Sequence, residues 1–136
     1  MIWQISIFAE NRKGALHRVT KALSDSGINM NSLITNDSGE FGSIRMLVSN
    51  TEAAERRLQE AGYLCRVSSV VAVELDDRCG SLNVLLDHLD HANVNLDYLY
   101  VTYSSLTSRP LAIMRARDCM AVESLLRANG YTCLAD

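Results

Sequence analysis

An internal repeat of about half its length limits the folds that this chain can adopt. The sequence around Gly14 recurs around Gly80, 66 residues later. In both copies an apolar alternating run ends, a polar turn follows, and the glycine opens an amphipathic helical pattern. Residue types also coincide at this spacing in Arg12/Arg78, Leu16/Leu82, Leu23/Leu89, Asn29/Asn95 and Leu33/Leu99. A fixed spacing indicates duplicated structural units. We therefore predict two homologous domains, residues 1–67 and 68–136.

The spacing changes once within each copy. In the second half of the copies it becomes 68, at Met46/Met114, Glu55/Glu123, Leu58/Leu126, Gly62/Gly130, Tyr63/Tyr131 and Cys65/Cys133. The two extra residues fall in a polar hairpin tip, where an insertion costs little free energy. The repeat therefore continues through the last helix and strand of each copy.

Each copy shows the same order of secondary-structure patterns. The first predicts strands at 2–9, 28–35, 41–49 and 63–67, a turn at 36–40, a helix from Gly14 to Gly27, and a helix at 52–61 with Thr51 as its N-cap. The second predicts strands at 70–75, 94–103, 111–116 and 131–134, and helices at 82–89 and 120–129. This order predicts an α+β fold of two ferredoxin-like βαββαβ units, with antiparallel sheets and helices on one face.

Composition argues against several classes of binding partner and several cellular locations. The net charge is −3 over 136 residues, without the basic stripe that nucleic-acid binding requires. No apolar run reaches the roughly 20 residues of a membrane span. The N-terminus lacks the basic and apolar regions of a signal peptide, so we expect a cytoplasmic protein. None of the four cysteines forms a C-x-x-C pair, and we expect no metal and no cofactor.

The loop before the first helix of each copy has the chemistry of an anion site. A helix start exposes backbone N–H groups, here near residues 12–16 and 78–82, and the helix dipole adds positive potential. The carboxylate of a small metabolite would be stabilised there. Gly14 and Gly80 serve a tight turn whether or not a ligand binds.

These residues resemble the ACT domain. The features that carry the resemblance are an apolar strand, Asn-Arg-x-Gly-x-Leu at the first helix, and a Gly-Ile-Asn or Asn-Val-Asn step into the second strand. The resemblance covers essentially the whole chain as two tandem copies, with no catalytic domain attached. It implies a regulatory module that senses amino acids, with the effector near the glycine loop at an interface between two ACT units. It also implies a homodimer.

Serine-sensing ACT domains of the phosphoglycerate dehydrogenase type give the resemblance more detail. They use a His-x-Asn pair before an Arg-Pro-Gly turn and a second asparagine that enters the second strand. These asparagines correspond to Asn11 and Asn29, and the same separation of 18 residues recurs between Asp77 and Asn95. The histidine positions hold Ala9 and Leu75, and the proline positions hold Lys13 and Cys79. The carboxylate site and the amide contacts are therefore implied without specifying serine.

The physical argument and the resemblance select the same residues. Backbone N–H groups of the two loops suit a carboxylate, and side-chain oxygens at the four asparagine-type positions suit an ammonium group. The predicted ligand-binding residues are Asn11, Arg12, Lys13, Gly14, Ala15, Leu16, Asn29, Asp77, Arg78, Cys79, Gly80, Ser81, Leu82 and Asn95.

Some of these residues have alternative structural explanations. Asn11 and Asp77 are equally consistent with helix N-caps, and Asn29 and Asn95 with hydrogen bonds to their own loops. Cys79 is explained more simply as a small turn residue than as a nucleophile. The pair of Asp87 and His91 has the spacing of a metal site, but an exposed i, i+4 pair on a helix explains it better.

Three functional hypotheses follow, in order of support. The first is a tandem ACT sensor of an amino acid that acts in trans on a partner, such as a metabolic enzyme or a regulator. The second is a ferredoxin-like adaptor without a ligand, whose exposed sheet edge pairs with another protein. An enzyme is the weakest hypothesis, because the sequence places no nucleophile or acid-base pair together.

Overall fold

The chain folds into ten elements of secondary structure. The computed structural model describes residues 1–135, apart from the side chains at positions 37 and 38. The elements are β1 (Ile2–Glu10), α1 (Ala15–Asp25), β2 (Met30–Ser38), β3 (Phe41–Val48), α2 (Thr51–Glu60), β4 (Leu64–Glu74), α3 (Ser81–His91), β5 (Leu96–Tyr103), β6 (Pro110–Ala116) and α4 (Cys119–Ala128). No helix of the described residues combines the length and the apolar character needed to cross a membrane.

The elements divide into two compact units. The first unit comprises Trp3–Ser68, and the second comprises Met1–Ile2 with the residues from Ser69 onward. The predicted boundary after residue 67 lies one residue before this division. The first two residues, which the repeat places in the first domain, group instead with the second unit. Position 136, the end of the predicted second domain, lies outside the described residues.

The first unit is a sheet with two helices packed against it. Strand β3 pairs antiparallel with both β1 and β2, and the strand order is β2-β3-β1-β4. Every second residue of a strand faces the same side, so Ile5 and Ile7 of β1 are fully buried. They form one core with the apolar stripes of α1 and α2, which are Val19, Leu23, Ala54 and Leu58.

The second unit repeats this arrangement. Strand β6 pairs antiparallel with β4 and β5, and Cys133 forms an isolated antiparallel bridge with Val73 on the other side of β4. Helices α3 and α4 contribute Leu85, Leu89, Val122 and Leu126 to a separate core. Two ferredoxin-like βαββαβ units are therefore present, and the predicted fold class is confirmed.

The strand predictions differ from the structure by one to three residues at several ends, including the starts of β2 and β5, and in the following three features. The strands at 63–67 and 70–75 are one continuous strand, β4, because neither glycine nor proline interrupts its sequence. The turn at 36–40 narrows to residues 39–40, because β2 continues in register with β3 as far as residue 38. The strand at 131–134 is reduced to the single bridge at Cys133.

One predicted helix cap is also wrong. Thr51 is the first residue of α2, and the residue before it, Asn50, is the N-cap. The side-chain oxygen of Asn50 accepts a hydrogen bond of 3.0 Å from the Ala53 N–H. Asparagine is a stronger cap than threonine, which accounts for the shift by one residue.

Candidate functional site

The two glycine loops adopt nearly the same backbone conformation. Gly14 has φ 83° and ψ −6°, and Gly80 has φ 87° and ψ −7°. This left-handed region favours glycine. Each glycine is the N-cap of its helix, α1 or α3, and neither helix has a side-chain cap. The alternative in which Asn11 and Asp77 cap these helices is therefore wrong.

The helix starts leave backbone N–H groups available. In the first loop, residues 10–16, the Arg12 N–H donates to the Glu10 carbonyl and the Ala15 N–H donates to the Arg12 carbonyl. The N–H groups of Gly14 and Leu16 have no acceptor among the described residues. Backbone N–H groups at the start of a helix lie at the positive end of the helix dipole, which stabilises an anion.

Asn11 connects the first loop to the β2–β3 hairpin. Its backbone N–H donates to the Glu40 carbonyl at 2.8 Å, and its side-chain Nδ2 donates to the Gly39 carbonyl at 3.1 Å. Both acceptors lie in the turn between the two strands. Asn11 therefore fixes the position of the loop against the end of the sheet.

An open cavity of about 200 Å³ lies beside this loop. Of the predicted residues it is lined by Asn11, Arg12, Ala15 and Leu16. The other lining residues, from the ends of β1, β2 and β3, are Ala9, Glu10, Thr35, Asn36, Gly42, Ser43 and Ile44. We call this the loop cavity. Its walls combine small apolar side chains with amide and hydroxyl groups.

Opposite charges meet at the rim of the loop cavity. Arg12 Nε lies 3.1 Å from Glu10 Oε2, and both side chains are more than half exposed. An ion pair as exposed as this contributes little to stability. Both groups therefore remain available to a charged ligand at small free-energy cost.

The strand residues of the cavity were missed by sequence reasoning. Thr35, Asn36 and Ser43 reach the loop through the register of the sheet, in which Ala9 pairs with Gly42 and Asn36 pairs with Ser43. The first of these pairs joins residues that are 42 − 9 = 33 positions apart in the sequence. The one available signal was the polar character of strand ends that otherwise carry apolar residues.

The predicted asparagines of the second strands lie elsewhere. Asn29 precedes β2, a strand of nine residues whose far end joins the hairpin that Asn11 contacts. Its N–H donates to Ser49 Oγ at 3.0 Å and its Nδ2 to Asn31 Oδ1 at 2.7 Å. Within the first unit, the structure does not place Asn29 in the loop cavity. Asn95 is likewise exposed immediately before β5.

The second loop, residues 76–82, makes contacts within itself and with Arg109, the residue before β6. Ser81 Oγ donates to the Asp76 carbonyl at 2.6 Å. The Asp76 carboxylate accepts from Arg109 Nη2 at 2.7 Å and lies 3.5 Å from Arg78 Nη2. Asp77 and Cys79 are exposed. Two of its predicted ligand residues, Arg78 and Ser81, therefore already contact Asp76.

The cysteines offer no metal or disulfide chemistry in the described residues. All four are free, and no group of three or more His, Cys, Asp or Glu side chains could hold a metal ion there. Burial raises the pKa of the Cys65 and Cys133 thiols above the usual range, with Glu55 adding to the effect at Cys65. His91 Nδ1 lies 2.7 Å from the Asp87 carbonyl, which is a contact within the helix.

Comparison with known proteins identifies related sequences and folds. A family model described as "ACT domain pair" matches residues 1–129. Protein BT0572 from Bacteroides thetaiotaomicron is 25% identical, with a TM-score of 0.91 over 98% of this chain and 92% of that one. No relative was found among curated protein sequences.

More distant structures share the fold. The ligand-free regulatory subunit of aspartate kinase from Thermus thermophilus is 14% identical, with a TM-score of 0.65 over 93% of this chain and 90% of that one. Aspartate kinase from Clostridium acetobutylicum is 12% identical, with a TM-score of 0.58 over 93% of this chain and 32% of that one.

Proposed function

Because this chain belongs to the ACT domain pair family, we propose that it is a regulatory protein that binds an amino acid and acts in trans on a partner. We assign its two ACT domains to residues 1–67 and 68–136. The family description names no enzyme, and the proposed role is regulatory and not catalytic.

The loop cavity is the observation that carries this proposal. An amino acid presents a carboxylate and an ammonium group a few ångströms apart. The residues that line the cavity offer the Arg12 guanidinium and the Leu16 N–H to the carboxylate, and the Glu10 carboxylate to the ammonium group. Charge-assisted hydrogen bonds of this kind are about twice as strong as neutral ones.

The size and lining of the loop cavity suit a small ligand. Its volume of about 200 Å³ is below the roughly 300–1,000 Å³ of sites for drug-sized molecules. Ala9, Ala15 and Gly42 leave short walls, and Leu16 and Ile44 add apolar surface. A single amino acid with a small or apolar side chain fits this description.

The expected affinity is that of a metabolite sensor. Hydrogen bonds to charged groups contribute roughly 1.5–3 kcal/mol each, and a few of them, less the cost of association, give a Kd in the micromolar to millimolar range. A ligand bound this weakly shifts a two-state equilibrium in a graded way, by its difference in affinity for the two states.

A thermal-shift screen of the twenty amino acids tests the proposal. We expect one or a few of them to stabilise the protein, by about 2.7 kcal/mol at one hundred times Kd. Asn11→Ala disturbs the loop cavity and should remove the shift, whereas Asn29→Ala, a matched change outside the cavity, should keep it. A flat response to all twenty amino acids would reject the sensor.

Loss of the thermal shift in both Asn11→Ala and Asn29→Ala would bear on where the ligand binds. It would favour a site between two ACT units, as the resemblance implies, over a site contained in the first unit. Isothermal titration of the two purified variants with the stabilising amino acid separates these cases directly.

We further propose a cytoplasmic homodimer whose partner is a metabolic enzyme or a regulator. The description of the Thermus thermophilus structure, a regulatory subunit of aspartate kinase, is consistent with this class of partner. An exposed apolar surface in the first unit supports self-association. Phe8, Phe41 and Leu64 are 49%, 58% and 71% exposed and line a second open cavity of about 550 Å³, which we call the apolar groove.

The apolar groove also favours the second candidate function, an adaptor that binds a protein and no ligand. Exposed aromatic and aliphatic side chains in one place are typical of protein interfaces. The screen decides between the candidates, because an adaptor gives no shift with any amino acid and retains its assembly in Asn11→Ala.

A further inference from the structure

The two loops differ at one position of the neighbouring strand. In the first unit, Glu10 pairs in register with Phe41, at the start of β3. In the second unit the equivalent acid is Asp76. The Leu75 N–H donates to the Pro110 carbonyl at 2.9 Å, which places Arg109 opposite Asp76. An aromatic side chain therefore faces the acid of the first loop, and a guanidinium faces the acid of the second.

Arg109 is held in place by more than one group. Its Nη2 lies 2.7 Å from Asp76 Oδ1, and its Nη1 lies 3.6 Å from Glu74 Oε2. Glu74 is only 10% exposed and also accepts a hydrogen bond of 3.4 Å from Thr107 Oγ1. This is a network of charges, which contributes more than an isolated surface pair. The guanidinium therefore remains on Asp76.

A second difference between the two loops, Ser81 in place of Ala15, also makes the second loop less open to a ligand. Ser81 closes its loop through the 2.6 Å hydrogen bond to the Asp76 carbonyl. The equivalent residue of the first loop is Ala15, which has no hydroxyl group and lines the loop cavity. The first loop thus keeps an acid whose only charged partner in the described residues is the exposed Arg12.

We infer that only the first loop binds ligand and that Arg109 closes the second by occupying the place of the ligand's ammonium group. The inference rests on the proposed function. Glu10 is then the ammonium-binding residue, and each chain binds one amino acid. At Asp76 a ligand would have to displace a cation that belongs to the same chain, whose effective concentration is on the order of millimolar or higher. A metabolite at a similar concentration therefore binds at Asp76 more weakly than at Glu10.

Exchanging the two residues tests this inference. Phe41→Arg places a guanidinium opposite Glu10, and Arg109→Phe removes it from Asp76. Both positions are at least half exposed, so we expect both variants to fold, which circular dichroism checks. Phe41→Gln is the matched control, because it removes the aromatic ring from the apolar groove as Phe41→Arg does, but adds no charge, so any effect of altered self-association is common to both variants.

The measurement is isothermal titration with each of the twenty amino acids in turn. We expect the wild-type chain to bind one molecule of the stabilising amino acid. Phe41→Arg should weaken its binding at least tenfold, Phe41→Gln should change it less than threefold, and Arg109→Phe should bind two molecules per chain. The corresponding α-hydroxy acid, which lacks the ammonium group, should bind at least tenfold more weakly than the amino acid.

The outcomes separate the inference from the proposed function. Two molecules per wild-type chain, or unchanged binding in Phe41→Arg, would overturn the inference and leave the sensor function in place. A single site in Arg109→Phe would overturn the role given to Arg109. Absence of binding by all twenty amino acids would reject the proposed function, and this inference with it.

Discussion

Gly80 shows how a single residue constrains the loop. An alanine Cβ at this position would meet no heavy atom within 4 Å, yet φ is +87°. The cost of the substitution is therefore conformational and not steric. For a residue with a Cβ, the left-handed region costs about 1–2 kcal/mol.

We expect Gly80→Ala to lower the free energy of unfolding by about that amount. Urea denaturation measures the change. Gly80→Asn is the control, because asparagine enters the left-handed region more readily, and it should cost less than alanine. Equal losses in the two variants would show that backbone conformation is not the cause.

Cysteine reactivity is a second property of single residues. Cys79 is exposed, whereas Cys119 and Cys133 are buried. Burial also raises the pKa of the Cys133 and Cys65 thiols. Since the thiolate is the reactive form, these two thiols hold less of it at a given pH.

We expect iodoacetamide at pH 8 to modify one thiol per native chain rapidly, and Cys79→Ser to remove the rapid phase. Mass spectrometry after timed quenching identifies the modified residue. In denaturant all the cysteines should react. Rapid modification of Cys133 in the native protein would contradict the burial described for it.

The residue scale also shows the limit of sequence reasoning about the site. The loop half of the cavity, Asn11 to Leu16, follows from a local motif. Thr35, Asn36 and Ser43 could not be found, because their approach depends on strand register. The contrast between Phe41 and Arg109 is equally hidden, since the two residues align only after the hairpin insertion is placed.

At the scale of elements, the helices begin in two different ways. Helices α1 and α3 start at glycines without a side-chain cap. Helices α2 and α4 start at Asn50 and Asp118, whose side chains accept hydrogen bonds of 3.0 Å from Ala53 and Ala121. Only the uncapped helices begin at the glycine loops, and in α1 the N–H of the second helical residue, Leu16, has no acceptor among the described residues.

We expect Asn50→Ala and Asp118→Ala each to lower the free energy of unfolding by about 1 kcal/mol. Chemical denaturation measures the loss. Asn83→Ala is the control, because Asn83 is an exposed residue of α3 that caps nothing, and it should change stability by less than about 0.5 kcal/mol. A loss at Asn83 equal to the other two would remove capping as the explanation.

The periodicity of apolar residues predicted which segments are helices and which are strands, but it did not predict where each one ends. The alternation of Ile5 and Ile7 and the helical spacing of Val19 and Leu23 identified a strand and a helix that the structure contains. The end of β2 was placed too early because Asn36 has a high turn propensity, which pairing with Ser43 outweighs. Local propensity is a weak predictor wherever a neighbouring strand supplies hydrogen bonds.

At the scale of the whole molecule, the duplication was the most informative feature. It predicted two ferredoxin-like units from a sequence in which each separate motif is only moderately specific. Each unit has its own buried core, as the repeated apolar positions require. The repeat is recognised from positions at which the two copies carry the same residue type. It therefore could not show the positions at which the copies differ in chemistry.

The proposed homodimer leads to a prediction at this scale. Leu64 and Met120 are similarly exposed, at 71% and 69%, but only Leu64 lines the apolar groove. We expect light scattering to give twice the chain mass of 15.1 kDa for the wild type and for Met120→Glu. Leu64→Glu should return the mass to that of one chain. A dimer that survives Leu64→Glu would locate the interface elsewhere.

The guanidinium on Asp76 has a consequence for the shape of the response to ligand. In a chain with one functional site, the fraction of sites occupied rises hyperbolically with ligand concentration. Such a chain cannot by itself produce a threshold in its response. Any steeper dose dependence must arise between chains, and in a homodimer its Hill coefficient cannot exceed two. A partner under this control would follow the metabolite gradually over about two decades of concentration and would not be switched abruptly.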